Sequence, residues 1–264
     1  MRRILMVVSY DGTNYHGFQI QENADTIAAQ LNRHLGQLLG EPVHVMGASR
    51  TDTGVHALGN VAVFDTNARM KADRIAFAMN TRLPEDIRVQ YSCEVPPDFH
   101  PRFQETVKTY EYRISNRRFP DPTTRLYTLH YHWPLDEKKM QKAAGYLVGT
   151  HDFGSLCTHR PDVTDHVRTI YELKVFREGD QVTIRITGNG FLYNMVRIIT
   201  GTLLRIGQGL MEPDEMKEIL EARDRSRAAE TARPEGLTLM SIRYPAWPDL
   251  IPDDLNPSNP VPRV

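Results

Sequence analysis

Ser49-Arg50-Thr51-Asp52-Thr53-Gly54-Val55-His56 places a guanidinium, a carboxylate and an imidazole on one short polar stretch, and its flanks decide the fold. On either side the runs Val43 to Met46 and Asn60 to Phe64 predict strands, so the stretch itself is a loop. Upstream, Ile27, Leu31, Leu35, Leu38 and Leu39 recur at three- and four-residue steps between Thr26 and Leu39. That spacing predicts an amphipathic helix, with Asp25 or Thr26 as its cap and Gly40 beyond its end. Farther out, Arg3 to Ser9 is an apolar, β-branched strand that runs into the turn formers Asp11, Gly12 and Asn14. Downstream, a helix from about Asp73 to Thr81 is broken at Leu83-Pro84-Glu85-Asp86 before a short strand, Ile87 to Tyr91. Strands alternate with helices on both sides of the polar loop, which predicts an α+β unit.

Pro96, Pro97 and Pro101 interrupt regular structure and predict a boundary near residue 104. The second half loosely repeats the order of the first: strand Lys108 to Ser115, helix Glu137 to Leu147, strands Ile170 to Arg177 and Gln181 to Gly188, then a helix-rich stretch from Phe191. A charged helical segment, Glu212 to Glu230, and a closing strand, Leu239 to Tyr244, complete it. The expected organisation is an N-terminal domain over 1–104, a C-terminal domain over 105–245 and a proline-rich tail over 246–264, largely unpacked. An ancient duplication fits the order of elements, although no residue-level repeat accompanies it.

Composition bounds the function. With 264 residues, 40% hydrophobic and 25% charged, the chain can bury a sizeable core. Its two cysteines, Cys93 and Cys157, form no CxxC pair, which points to a reducing compartment, by default the cytoplasm. No apolar run approaches the roughly 20 residues of a membrane helix, and the N-terminal run is too short for a signal peptide. With 32 basic and 33 acidic residues the net charge is -1, so an RNA-binding face must be a local patch rather than a bulk property. Arg113, Arg117, Arg118 and Arg125, then His159, Arg160, His166 and Arg168, then Arg197 and Arg205, are such clusters, each equally readable as a solvated face.

Residue chemistry alone leaves Asp52 either a turn former or a catalytic carboxylate. Ser49 to Ala57, however, resembles the RTDxGVHA signature of the tRNA pseudouridine synthase A (TruA) family. Further blocks are similar to that family in the same order: Ser9 to Gln19, Leu83 to Ile87, Lys108 to Tyr112, Gly149 to Phe153, Phe191 to Arg197 and Glu235 to Leu239. Together they cover residues 3 to 245. The chain departs from the pattern at Phe99-His100-Pro101-Arg102, where the family has Phe-His-Ala-Arg, and at Ile27 to Leu31, where a Val-Gln pair is typical.

The resemblance implies two similar ferredoxin/RRM-like halves forming a mixed, mainly antiparallel sheet. It implies an isomerase of uridine at positions 38, 39 and 40 of the tRNA anticodon stem-loop, working as a homodimer with RNA lying across both subunits and with no other protein partner. Asp52 is then the catalytic carboxylate and Arg50 assists base flipping. Tyr110 stacks on the target uracil, Arg197 pairs with Asp52, and Leu239 belongs to the apolar floor beneath the flipped base. Without the resemblance, Tyr110 reads as a half-buried strand aromatic, Arg197 as a surface or snorkelling arginine and Leu239 as core.

No cofactor is expected: Gly188-Asn189-Gly190 lacks the third glycine of a dinucleotide fingerprint, and no phosphate loop is present. His151, Cys157, His159 and His166 suggest a metal cluster, but their spacing is not a common zinc pattern, and no metal is expected. A non-catalytic RNA-binding protein and a metal-dependent hydrolase are the two rival readings.

Overall fold

The computed structural model describes residues 1–255, which divide into two compact units: Met1–Thr106 with the chain from Thr238 onward, and Val107–Leu237. Residues 256–264 of the expected tail lie outside the described residues. The fold is α+β with a mixed, mainly antiparallel sheet, as expected.

In the first unit the order is β1 (Arg2–Tyr10), α1 (Ile27–Leu39), β2 (Met46–Gly47), β3 (His56–Thr66), α2 (Ala72–Asn80) and β4 (Ile87–Val95). β1 pairs antiparallel with both β3 and β4, and β2 pairs antiparallel with β3, so the strand order is β4-β1-β3-β2. Central β1 explains its composition: Ile4 to Val8 face apolar neighbours on both sides and none exceeds 2% exposure. Leu31 and Leu35 bury the apolar stripe of α1, whose first turn is capped by the Thr26 hydroxyl accepting from Ala29 N at 3.3 Å. Helix α2 is bracketed to β4 by side chains: Ser92 Oγ accepts from Ala76 N at 2.9 Å, and Asn80 exchanges two 2.8 Å bonds with the backbone of Val89.

The second unit contains β5 (Val107–Ser115), β6 (Leu129–His130), α3 (Glu137–Gly145), β7 (Gly149–Asp152), β8 (Val167–Glu178), β9 (Gln181–Gly188), α4 (Met195–Gly207) and α5 (Glu215–Ala222). β9 pairs antiparallel with β5 and β8, β7 pairs antiparallel with β8, and β6 lies parallel to β5. The sequence β5-α3-β8-β9-α4 therefore repeats the order and pairing of β1-α1-β2-β3-α2, with the first strand against the third in each. The last strand, β10 (Leu237–Arg243), sets Thr238 and Leu239 parallel to His56 and Ala57 of the first unit. Among the described residues no helix is long and apolar enough to cross a membrane.

Several expected elements change length for local reasons. Instead of a strand over 43–46 only Met46 and Gly47 pair, because Val45 N donates to the Asn32 side chain at 2.8 Å rather than to a neighbouring strand. The helical stretch expected from Glu212 to Glu230 shrinks to α5, which ends where Arg223 turns left-handed at φ 52°, followed by a single 3₁₀ turn. Residues 246–255, expected to be unpacked, do make contacts: Trp247 sits edge-on to Phe99 at 5.8 Å.

Three substitutions check this packing. Gly17 has φ +85°, and a Cβ there would lie 2.5 Å from Thr51 O, so Gly17→Ala should cost about 2–4 kcal/mol in urea unfolding. Gly40→Ala, at φ +70° with open space around it, should cost only about 1 kcal/mol. Asp65 takes two bonds from Arg3, at 2.8 and 2.7 Å, and the Arg3 hydrogen bond holds its carboxyl below the ordinary value. Stabilisation of that sign is present above the ordinary carboxylate range and is lost as pH falls through the depressed value. The Asp65 side chain is 32% exposed, so Asp65→Asn should lose less than about 1 kcal/mol near neutrality, a difference that shrinks as pH falls below about 4.

Candidate active site

Asp52 sits on the short turn between β2 and β3, partly exposed, and the turn is held from three directions. Within it, Val55 N donates to Asp52 O at 3.1 Å. From the β1–α1 loop, Phe18 N donates to Thr51 O at 3.1 Å, and Gly54 N donates to Tyr15 O at 3.2 Å. From beneath, the Tyr10 hydroxyl and Thr51 Oγ1 lie 2.7 Å apart, while the wholly buried Asn60 carboxamide donates to Tyr10 Oη and Ser49 O at 3.0 Å each. Asn60 Oδ1 also accepts from Ser49 N at 3.3 Å. The Asp52 side chain is thus carried on a backbone with little freedom while keeping access to solvent.

Glycines allow this approach. A Cβ at Gly12 would lie 2.0 Å from Val55 O, so the β1–α1 loop and the Asp52 turn pack backbone to backbone. Asp86 ties the same loop from its other side: its carbonyl accepts from Asp11 N at 2.9 Å, and its carboxylate accepts from the Tyr15 hydroxyl at 2.6 Å. Burial and that carboxylate raise the Tyr15 phenol well above its ordinary value, so it stays a donor. The stretches 9–19, 49–57 and 83–87, far apart in sequence, meet in one network. His56 closes its base, with Nδ1 3.1 Å from both Gly12 N and Asp11 Oδ1, where a proton on Nδ1 serves the carboxylate and its absence serves the amide.

Arg50 is exposed beside Asp52. Arg102 is lowered from its ordinary value first by burial and then by the Arg50 charge, which sets two cations near one another on this unit. Pro101, in the segment that departs from the family pattern, is buried and accepts the Tyr244 hydroxyl at 3.0 Å. Leu239 is fully buried opposite Ala57, a core strand residue adjoining the strand that leaves the Asp52 turn.

The second unit holds the other two expected residues. Tyr110 lies on β5 opposite Ile186, 7% exposed, with its ring edge-on to Phe191 at 5.2 Å. Arg197 stands in the first turn of α4, where its Nε donates to Ala232 O at 2.8 Å and its Nη1 to Asn194 Oδ1 at 2.9 Å. Asn194, left-handed at φ 60°, precedes the helix and donates to Thr158 Oγ1 at 3.1 Å. These bonds hold the guanidinium in one orientation at the positive end of the helix dipole.

Of the histidine and cysteine set, the structure brings Cys157, His159 and His166 together, their donor atoms within 4.8 Å of one another, while His151 turns back to Val148 O at 3.1 Å. Burial pushes the Cys157 thiol up to about 11, which makes it a poor nucleophile near neutrality. The positioning residues that sequence reasoning passed over are Asn60 and Tyr10. The signal for Asn60 was a carboxamide opening an otherwise apolar strand.

Residues 6–104 and 143–245 match the family model described as tRNA pseudouridine synthase. The tRNA pseudouridine synthase A of Thermoanaerobacter sp. (strain X514) is 47% identical over 244 residues, spanning 92% of this chain and 100% of that protein. That of Acetivibrio thermocellus is 46% identical with the same coverage, and that of Halalkalibacterium halodurans is 46% identical over 238 residues, 90% of each chain. A solved H/ACA ribonucleoprotein bound to a substrate RNA matches with TM-score 0.41 and 13% identity, over 92% of this chain and 49% of that one, too loosely to bear on the argument. The Asp52 turn and its matching blocks are thus those of a known lineage, and the chain belongs to the tRNA pseudouridine synthase family, isomerases that convert uridine to pseudouridine.

Proposed function

We propose that this isomerase acts on uridines 38, 39 and 40 of the tRNA anticodon stem-loop, with Asp52 as its catalytic carboxylate. The observation that carries the proposal is the Asp52 turn: a partly exposed carboxylate on a backbone fixed through Thr51, Tyr10 and Asn60. Such fixing suits a group that must meet one atom of a flipped nucleotide, where misplacement is costly.

The reaction breaks the bond from ribose C1′ to uracil N1, turns the base and joins C1′ to C5. A proton leaves C5 and N1 gains one, so atoms and electrons balance without an external reductant or oxidant. Asp52 acts by attack on C1′, by attack on C6 or by taking a proton from C2′, and each route requires the ionised carboxylate. Arg197 is assigned to orient that carboxylate, Tyr110 to stack on the uracil and relay a proton, Arg50 to hold the displaced backbone during flipping, and Leu239 to support the apolar floor. The enzyme works as a homodimer in the cytoplasm, with the tRNA across both subunits.

Mapping pseudouridine in an unmodified tRNA transcript after incubation with the protein should find product at 38, 39 and 40. Product at other positions would overturn the site assignment, and tRNA binding without product would overturn the catalytic reading of Asp52. Asp52→Asn should keep tRNA affinity while losing turnover by at least about 10³-fold, the scale seen when a catalytic carboxylate is removed. Binding should weaken steeply with added salt as phosphate contacts are screened.

A further inference from the structure

The geometry points to a transition-metal site on the second unit, formed by Cys157, His159 and His166 and suited to Zn²⁺. Their three donor atoms lie within 4.8 Å of one another although the residues are spread over a ten-residue loop. The local backbone accounts for the convergence. A 3₁₀ turn, Gly154–Leu156, ends at Cys157, whose extended backbone at φ -140° and ψ 161° lets His159, two residues on, project to the same side. The chain then turns at Arg160, where Val163 N donates to Arg160 O at 3.1 Å, and returns so that Phe153 N meets His166 O at 3.0 Å. That bond brings His166 back to the start of the 3₁₀ turn.

Two further observations point to a ligand. His166 Nε2 is buried and has no hydrogen-bond partner among the described residues, a desolvation cost that a cation would remove. His159 Nε2 lies 2.8 Å from Gly154 O; a proton donated there leaves Nδ1 with its lone pair, the tautomer control found behind metal-bound histidines. The two imidazoles are stacked at 4.9 Å with an interplanar angle of 24°.

One thiolate and two imidazoles form a borderline-soft donor set that selects Zn²⁺ or Co²⁺ over Mg²⁺ or Ca²⁺. Three protein donors leave the fourth tetrahedral position to water. The site has a mechanical use: no residue from Thr158 to His166 is buried, so the loop has no apolar anchor of its own. A cation across its base would close the loop and steady Arg160, whose guanidinium lies 4.0 Å over the Tyr193 ring. The inference rests on this unit alone and stands or falls separately from the isomerase chemistry.

The test uses the full chain, stripped of metal by a chelator, dialysed and titrated with Co²⁺. One cobalt per chain is expected, with the thiolate-to-cobalt charge-transfer band in the near ultraviolet and displacement by Zn²⁺. Cys157→Ser and His166→Gln should each abolish stoichiometric binding, while Cys93→Ser should leave the band unchanged. Absence of the band in the wild-type chain overturns the site, as does its loss in Cys93→Ser. If Cys157→Ser fails to fold, a band unaltered in folded His166→Gln overturns it on its own.

Discussion

The buried carboxamide of Asn60 is the constraint on which the Asp52 turn depends. It donates to the Tyr10 hydroxyl and to the Ser49 carbonyl, and it accepts from the Ser49 amide. Through Tyr10 the same network reaches Thr51, the residue before Asp52. A wholly buried amide that loses these partners would carry the full penalty of desolvation, so the group has one low-energy arrangement and the turn inherits it. A reacting carboxylate must remain partly open to its substrate and cannot be immobilised by burial. Here the rigidity lies one residue away, in the backbone of Thr51 and Gly54 and in the β1–α1 loop pressed against them.

That arrangement accounts for residues that carry no chemistry. Gly12 and Gly17 permit backbone contact, and Asp86 anchors Tyr15 and Asp11 from the start of β4. In the second unit Asn194, strained into the left-handed region, opens α4 so that Arg197 falls in its first turn. Strain of this kind costs of order 1–3 kcal/mol and persists because Asn194 also bonds to Thr158. In both units the backbone around the residue of interest is fixed by its chain neighbours, Thr51 beside Asp52 and Asn194 at the start of the helix that carries Arg197.

Much of the fold was legible in the sequence because its signals are local. The three- and four-residue spacing of α1 and the apolar run of β1 marked those elements without reference to the rest of the chain. Elements set by distant partners were misjudged. Val45 lost its place in a strand to the side chain of Asn32, and β3 begins at His56, earlier than its apolar run, because β10 pairs with it there. In the site, Asp52 stood out only as a charged residue in a polar loop until the matching blocks were considered together. Tyr10 and Asn60 stayed hidden because they are 50 residues apart and neither carries a local signal of its partner.

The same limit governs the cysteine and histidine cluster. Spacing rules for metal sites assume ligands delivered in pairs by tight turns, and Cys157, His159 and His166 match none of them. What unites the three is a hydrogen bond between Phe153 and His166 that closes the intervening loop, a tertiary event that spacing does not encode. The isomerisation itself has no use for a cation at this place, since it exchanges one glycosidic bond for another and returns every electron. A metal here therefore acts on the loop and not on the bond being broken: it replaces the apolar anchor that residues 158–166 lack, as Asn60 replaces burial for the Asp52 turn.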